Sequence, residues 1–242
     1  MIDSTRRSFS KAISWKFLGL LVLSTVVYTA TGSLKETGLV AIIYHLLMLI
    51  LFVAHERVWN KIKWGKTKGL FIQMTGMSGA GKTTLSKMVA NRLQKKGFKV
   101  EVLDGDEYRE GLCSDLGFSK KDRNANIRRL GFVSKVLARN SVISIIAAIN
   151  PYEDVRQEIN QYSNVKTVFI NCDIEELKNR DTKGLYARAM LPDGHVDKVY
   201  NFTGISDSYD IPPKPDLTIN THLEAADQSA KKLENFIIKS IS

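Results

Sequence analysis

The chain has 242 residues, enough for one ordinary domain and something extra, and carries a formal net charge of +10. Two sources of that charge fit the sequence, basic flanks beside a membrane and a site for anionic nucleotides; no basic helix with interleaved aromatics is present, so no nucleic-acid partner is expected. The two cysteines, Cys113 and Cys172, lie far apart and suit a reducing compartment, and the sequence shows neither metal-ligand spacing nor an internal repeat.

The apolar residues are unevenly placed. One run extends from Phe17 to Ala30, reaching back to Ile13 if Lys16 snorkels, and a second from Leu39 to Ala54, interrupted by Tyr44 and His45. Each is near the short end of the ~17–25 residues that span hydrocarbon. The polar stretch Thr31 to Gly38 separates them, which predicts a two-helix transmembrane hairpin with residues 13–56 in the membrane. Arg6, Arg7, Lys11 and Lys16 precede the first run, and Arg57, Lys61, Lys63, Lys66 and Lys68 follow the second, while the turn holds only Lys35 beside Glu36. The positive-inside rule therefore places both termini in the cytoplasm, and Trp15, Trp59 and Trp64 fall where an aromatic belt would lie on that side. Two readings compete. Thr5 to Lys11 is similar to a twin-arginine export signal, although export would separate a nucleotide-binding domain from ATP; a buried soluble helical pair would also fit segments this short. His45 reads as a packed polar residue. The segment His55-Glu56-Arg57-Val58-Trp59-Asn60, continuing to Gly65, resembles a small family of bacterial two-helix membrane proteins of unknown function. That resemblance implies a multi-pass location in the bacterial inner membrane and no activity. Residues 1–65 are thus expected to form the anchor, Lys66 to Gly69 the linker, and 66–242 a second domain.

The apolar run Leu70 to Met74 leads into Gly76-Met77-Ser78-Gly79-Ala80-Gly81-Lys82-Thr83-Thr84, which reads G-x-x-x-x-G-K-T. This is the pattern of a phosphate-binding loop. Glycines let backbone N–H groups turn inward around phosphate oxygens, Lys82 reaches the β- and γ-phosphates, and Thr83 offers its hydroxyl to Mg²⁺. A run at helical spacing, Leu85 to Gln94, follows and would set the phosphates at a helix N-terminus. Further on, strands are predicted at Lys99–Leu103, Val142–Ala148, Thr167–Asn171 and Leu217–Ile219, and helices at Lys82–Lys95, Asp122–Arg139, Glu153–Gln161, Ile174–Arg180 and Leu223–Ile238. The alternation predicts an α/β domain with a mostly parallel five-stranded sheet covered on both faces, with ligands at the carboxyl ends of the strands.

Chemistry-bearing residues gather at those ends. Asp104 and Asp106 follow the second strand, with Arg109 one helical turn beyond Asp106. A carboxylate here would orient or deprotonate an acceptor hydroxyl or hold Mg²⁺ through water, and a cation would take the acceptor's anionic group; an ordinary N-cap by Asp106 with a solvated Arg109 is the simpler alternative. Phe118 offers a face to a base. Arg123, Asn126 and Arg129 share a helical spacing, with Ser119 or Asp122 available as cap, and a solvated basic face is the alternative there. Arg180-Asp181-Thr182-Lys183-Gly184-Leu185-Tyr186 reads as a mobile lid that brings Arg180 and Lys183 to the transition-state charge, or else as a polar loop.

The phosphate-binding loop, Leu103-Asp104-Gly105-Asp106-x-x-Arg109-x-Gly111-Leu112, Leu116-Gly117-Phe118-Ser119 through Arg129, Lys183-Gly184-Leu185-Tyr186 and Asn201-Phe202-Thr203-Gly204-Ile205 occur in the order seen in adenylylsulfate (APS) kinases. The resemblance covers residues 70–240 or so. It implies a P-loop kinase that phosphorylates the 3′-hydroxyl of APS with MgATP, giving PAPS, and a homodimer. It places ATP on Gly76, Ser78, Gly79, Ala80, Gly81, Lys82, Thr83 and Thr84, with Arg180, and Mg²⁺ on Thr83 and Asp104. Asp106, Arg109, Phe118, Arg123 and Asn126 would line one side of the APS pocket, and Ile149, Asn150, Lys183, Phe202 and Thr203 the other. Lys82, Asp104, Asp106 and Lys183 would be catalytic, with the choice between Asp104 and Asp106 as the base left open. Two positions depart from that family. Asn150 stands before Pro151-Tyr152 where many members carry a serine linked to a phosphorylated intermediate; direct in-line transfer does not need it. The stretch Ala187 to Tyr200, with Met190-Leu191-Pro192-Asp193-Gly194-His195, differs from the usual lid connection. A sibling kinase acting on another nucleotide-linked anion, such as a cytidine diphosphate derivative, and a catalytically silent membrane scaffold are therefore the competing functions. The hairpin raises delivery of PAPS to a membrane sulfotransferase as a reason for tethering.

Overall fold

The five-stranded sheet follows from strand composition. β1 (Leu70–Thr75) is buried on both faces along its whole length, as expected of the central strand of a parallel sheet. Its side chains alternate: Ile72 and Met74 enter one hydrophobic cluster, and Phe71 enters the other. The computed structural model describes residues 5–61, 68–181 and 183–241. The remaining strands are β2 (Val100–Asp104), β3 (Ile143–Ala147), β4 (Val165–Asn171) and β5 (Leu217–Asn220). The order is β2-β3-β1-β4-β5 and every pair is parallel. Order reverses at β1, which has β3 on one side and β4 on the other, and a crevice opens at such a switch point.

The chain divides into two units, Met1–Lys66 and Thr67–Ser242. In the first, α1 (Thr5–Thr31) and α2 (Leu34–Lys61) pack on each other through a connection of only Gly32 and Ser33, shorter than the polar turn expected over 31–38. Gly32 adopts a left-handed φ of 64°, and Ser33 caps α2 by accepting a hydrogen bond from the Glu36 amide. Thr37 and Ala41 are buried between the helices, while most of the apolar side chains of Leu39–Phe52 are exposed. One helix segment, Leu34–Phe52, is long and apolar enough to cross a membrane; the apolar part of α1, Lys16–Thr31, is shorter. Thr25, Thr29 and Thr31 return their hydroxyls to carbonyls of the preceding turn, which lets polar residues sit on this helix without a partner outside it. The expected domain boundary at 65/66, and Lys63, Trp64 and Lys66, lie outside the described residues.

In the second unit, α3 (Lys82–Lys95) and α8 (Ala226–Ile241) cover one face of the sheet through Val89, Leu93, Leu233 and Ile237. α4 (Lys120–Arg139) and α5 (Glu153–Asn160) cover the other through Ile127, Leu130, Val155 and Ile159. All five expected strands and five expected helices are present. α8 starts at Ala226 rather than Leu223. α4 starts two residues early because the Ser119 hydroxyl, not Asp122, caps it, accepting from the Asp122 amide at 3.1 Å. α6 (Ile174–Arg180) has the bounds expected, and two short elements not expected complete the fold, a 3₁₀ turn over Glu107–Glu110 and α7 (Leu185–Ala189), both too short for a periodic signal. Thr182, in the expected lid, lies outside the described residues.

Leu130 is fully buried between α4 and the sheet. Leu130→Ala is expected to lower the unfolding free energy by about 2–5 kcal/mol. Denaturant titration followed by circular dichroism measures it, and a loss under about 1 kcal/mol would contradict the packing described.

Candidate active site

The carboxyl edge of the sheet carries the loop between β1 and α3. Gly76 fits there because a Cβ would lie 2.4 Å from the Ile170 carbonyl oxygen. Gly79 and Gly81 hold left-handed φ values of 76° and 99°, which turns the intervening amides inward. Gly81 is also the N-cap of α3 and places no side chain over the helix's free amides, so an anion has direct access to them. Lys82 is buried and donates to the carbonyls of Gly76 and Met77 at 2.8 and 2.7 Å, bracing the loop. Burial pushes its ammonium down to about 8, with Asp106 acting in the opposite sense.

Thr83, the residue after the lysine, donates its hydroxyl to Asp104 Oδ2 at 2.6 Å. The other oxygen, Asp104 Oδ1, accepts from the Asp106 amide at 2.9 Å. One carboxylate thus joins the phosphate-binding loop to the end of β2. Among the described residues no group of three or more His, Cys, Asp or Glu side chains forms a metal cage. The hydroxyl and carboxylate of Thr83 and Asp104 match the sparse protein ligation of Mg²⁺, which takes most of its remaining ligands from phosphates and water.

A cavity of about 750 Å³ lies over this loop. Ser78 to Thr84 form its floor, and Arg180 and Lys183 reach it from the segment expected to be a lid. Gly76 is not on its surface; its place is against Ile170. The sequence reading missed Thr221 and Glu224 from the β5–α8 connection, Ala226 and Ser229 from the first turn of α8, and Val199 and Tyr200, all of which line the cavity. No motif marks them, since only the fold brings them to the loop. Tyr186 was quoted in the lid motif but given no role. It is buried, donates its hydroxyl to the Ser78 carbonyl at 2.9 Å and packs edge-on against Phe202 at 4.9 Å.

A second, narrow recess adjoins the first. Asp106, Phe118, Arg123 and Ile149 line both; Arg109, Asn126 and Asn150 line the recess alone. Phe118 is 57% exposed and lies between two guanidinium groups, Arg109 at 4.5 Å and Arg123 at 5.5 Å from its ring centre. Arg109 donates to the carbonyls of Leu116 and Gly117; Arg123 donates to those of Phe118 and Asn201. These bonds set both cations beside the ring. Asp106 does not cap the following turn with its side chain; it is 74% exposed and accepts from Lys183 Nζ at 2.6 Å. That hydrogen bond raises the Lys183 pKa. Asn126 Oδ1 and Asn150 Oδ1 are buried without a hydrogen-bond partner, as is Thr203 Oγ1. Such groups call for a donor from a ligand.

Asn150 is 1% exposed and has a φ of 46°. Asparagine tolerates that conformation better than serine. Its amide nitrogen donates to Gln73 Oε1 at 3.1 Å, which turns the side chain towards the sheet.

The profile of the adenylylsulphate kinase family matches residues 68–220, and a family described only as a predicted membrane protein matches residues 9–60. The adenylyl-sulfate kinase of Picosynechococcus sp. is 45% identical over 167 residues, covering 69% of this chain and 92% of its own. That of Halothermothrix orenii is 43% identical over 171 residues, 70% and 90% of the two chains. Among solved structures, the Mycobacterium tuberculosis APS kinase in complex with AMPPNP and APS superposes with a TM-score of 0.66 at 33% identity, covering 71% of this chain and 98% of its own.

Gly76→Ala is expected to displace the loop, at a cost of about 1–3 kcal/mol, and to weaken binding of a non-hydrolysable nucleoside triphosphate correspondingly. Isothermal titration calorimetry reads the change; unaltered affinity would contradict the close approach to Ile170.

Proposed function

Because the chain belongs to the adenylylsulphate kinase family, we propose that it transfers the γ-phosphoryl group of MgATP to the 3′-hydroxyl of APS, giving PAPS, at the cytoplasmic face of the bacterial inner membrane. The observation that carries the reading is the shared wall of Asp106, Phe118, Arg123 and Ile149 between the phosphate-loop cavity and the recess. A donor phosphate and an acceptor can meet only across such a wall.

In this reading the loop amides from Ser78 to Thr84 and the α3 N-terminus hold the phosphates of ATP, and Lys82 exchanges its loop carbonyls for phosphate oxygens. Thr83 and Asp104 would hold Mg²⁺, which would supply charge neutralisation for the transferring phosphate. Asp104 is 7% exposed and committed to Thr83 and the Asp106 amide, so the metal role falls to it. Asp106 faces both cavities and is the residue that accepts the proton of the acceptor hydroxyl as the new P–O bond forms and ADP leaves. Lys183 and Arg180 place positive charge over the transferring group. Phe118 stacks on the acceptor base, Arg109 and Arg123 offset its anionic groups, and the exocyclic amine of adenine is a donor suited to the unpartnered Asn126 Oδ1. Phe202, expected on the acceptor side, instead lines the phosphate-loop cavity, and Thr203 is buried behind it and lines neither cavity. Asn150 takes no part in phosphoryl relay, which leaves direct transfer. Val199 and Tyr200 end the unusual 187–200 stretch at the nucleotide cavity, so that departure bears first on the ATP side. The anchor is a two-helix hairpin with both termini cytoplasmic, supported by the Leu34–Phe52 segment and the match over residues 9–60.

The test is ATP-dependent phosphorylation by the purified full chain with APS, cytidine diphosphate derivatives and other nucleotides as acceptors. APS-selective turnover is expected, and Asp106→Asn should lower kcat by about 10²- to 10⁴-fold. Selective turnover of a different acceptor would replace APS by that compound, and absence of any turnover would favour a silent scaffold.

A further inference from the structure

One buried guanidinium lies behind the Ile149–Asn150 wall of the recess. Arg156, on α5, is 1% exposed and faces the carboxyl end of β1. Its Nη1 donates to the Asn150 carbonyl at 2.7 Å, and its Nη2 donates to the Asp210 carbonyl. Asn150 belongs to the loop that follows β3 and lines the recess; Asp210 ends the strap that begins with Phe202 and Thr203. Nε and Nη2 both donate to Glu153 Oε2, at 2.9 and 2.6 Å, which balances the charge locally. Around this hub the same two segments are joined again. The Asp210 amide donates to the Pro151 carbonyl, the Glu153 amide donates to Asp210 Oδ2, and the Tyr152 hydroxyl donates to Asp207. Thr75, the last residue of β1, donates to the Asn150 carbonyl at 2.9 Å and lies 2.8 Å from the Tyr209 hydroxyl.

We propose that Arg156 is a positioning residue for the acceptor: it holds the Ile149–Asn150 loop, one wall of the recess, against the 202–210 strap, and so fixes where that wall stands. Arg156 touches neither cavity. Its bonds run to the left-handed turn at Asn150, a conformation that needs outside support, and to the strap that carries Phe202. The phosphate-binding loop has braces of its own in Lys82 and Thr83, and shares with the Ile149–Asn150 loop the bond from the Gly76 amide to the Ile149 carbonyl. Loss of Arg156 should therefore weaken acceptor use far more than nucleotide binding. The inference rests on the kinase reading above and deepens its acceptor site.

The experiment uses the full chain in detergent micelles. It measures KM for APS and for ATP, affinity for a non-hydrolysable ATP analogue, and the melting temperature, in the unaltered chain and in Arg156→Ala, Arg156→Lys and Tyr209→Phe. Arg156→Ala should raise the KM for APS roughly 10- to 100-fold, with the KM for ATP and analogue affinity within about twofold. Arg156→Lys should fall between, because an ammonium cannot reproduce the fork to Asn150, Asp210 and Glu153 together. Tyr209→Phe, which keeps the ring and removes one hydroxyl, should move the same constant in the same direction by less. Equal rises in both KM values, or a lowered melting temperature with both KM values unchanged, would overturn the proposal. An unaltered chain inert towards APS would overturn the substrate assignment instead, and a selective KM effect on whatever acceptor it does use would still bear out the role of Arg156.

Discussion

The Asp104 carboxylate is the constraint on which the site depends. It is short, buried and bound on both oxygens, one to the Thr83 hydroxyl at the start of α3 and one to the Asp106 amide past the end of β2. β2 and β1 are not neighbours in the sheet; β3 lies between them. Through Asp104, the Thr83 hydroxyl and the exposed Asp106 are set in register across the sheet edge. The order of the strands and the phosphate loop provide a nucleotide site; this bridge turns it into a site for transfer.

Around it, the two cavities are supported in different ways. The nucleotide side is built from backbone: left-handed glycines, open helix amides and a lysine braced on carbonyls, all properties of a short contiguous stretch. The recess is built from side chains of distant segments, the turn after β2, the α4 N-terminus and the β3–α5 loop, with the strap from Phe202 to Asp210 bonded behind them. A nucleotide phosphate is common to many kinases, so its cradle tolerates a local solution. An acceptor must be distinguished from other nucleotides, and that requires fixed spacing between segments.

This division explains what could be read from the sequence. Gly79, Gly81, Lys82, Thr83 and Asp104 were legible because their spacing along the chain is what forms the loop, and β1 and β3 were legible because buried parallel strands are nearly continuous apolar runs. Asp106, Arg109, Phe118, Arg123 and Asn126 were legible as a set only through motif order, and the structure brings them to one recess. Glu224, Ser229 and Arg156 were not legible, since an acidic, a small polar and a basic residue on helices or loops have many ordinary uses and only the fold places them. The short α7 and the 3₁₀ turn at Glu107–Glu110 carry too few residues for a period to register. In the hairpin, two apolar runs of similar appearance separate once length is applied: α2 holds Leu34–Phe52, whereas Lys16 limits the run in α1.

Asn150 gives the account its sharpest consequence. Buried, left-handed and turned to Gln73, it is a structural residue where a phosphorylated serine would have to be exposed. In the proposed reaction the γ-phosphoryl group then passes from ATP to the acceptor in a single in-line step. Stereochemical analysis with ATP made chiral at the γ-phosphorus tests this most directly. The account predicts inversion of configuration in the phosphorylated product; retention would show two successive displacements through a phosphoenzyme and would contradict it.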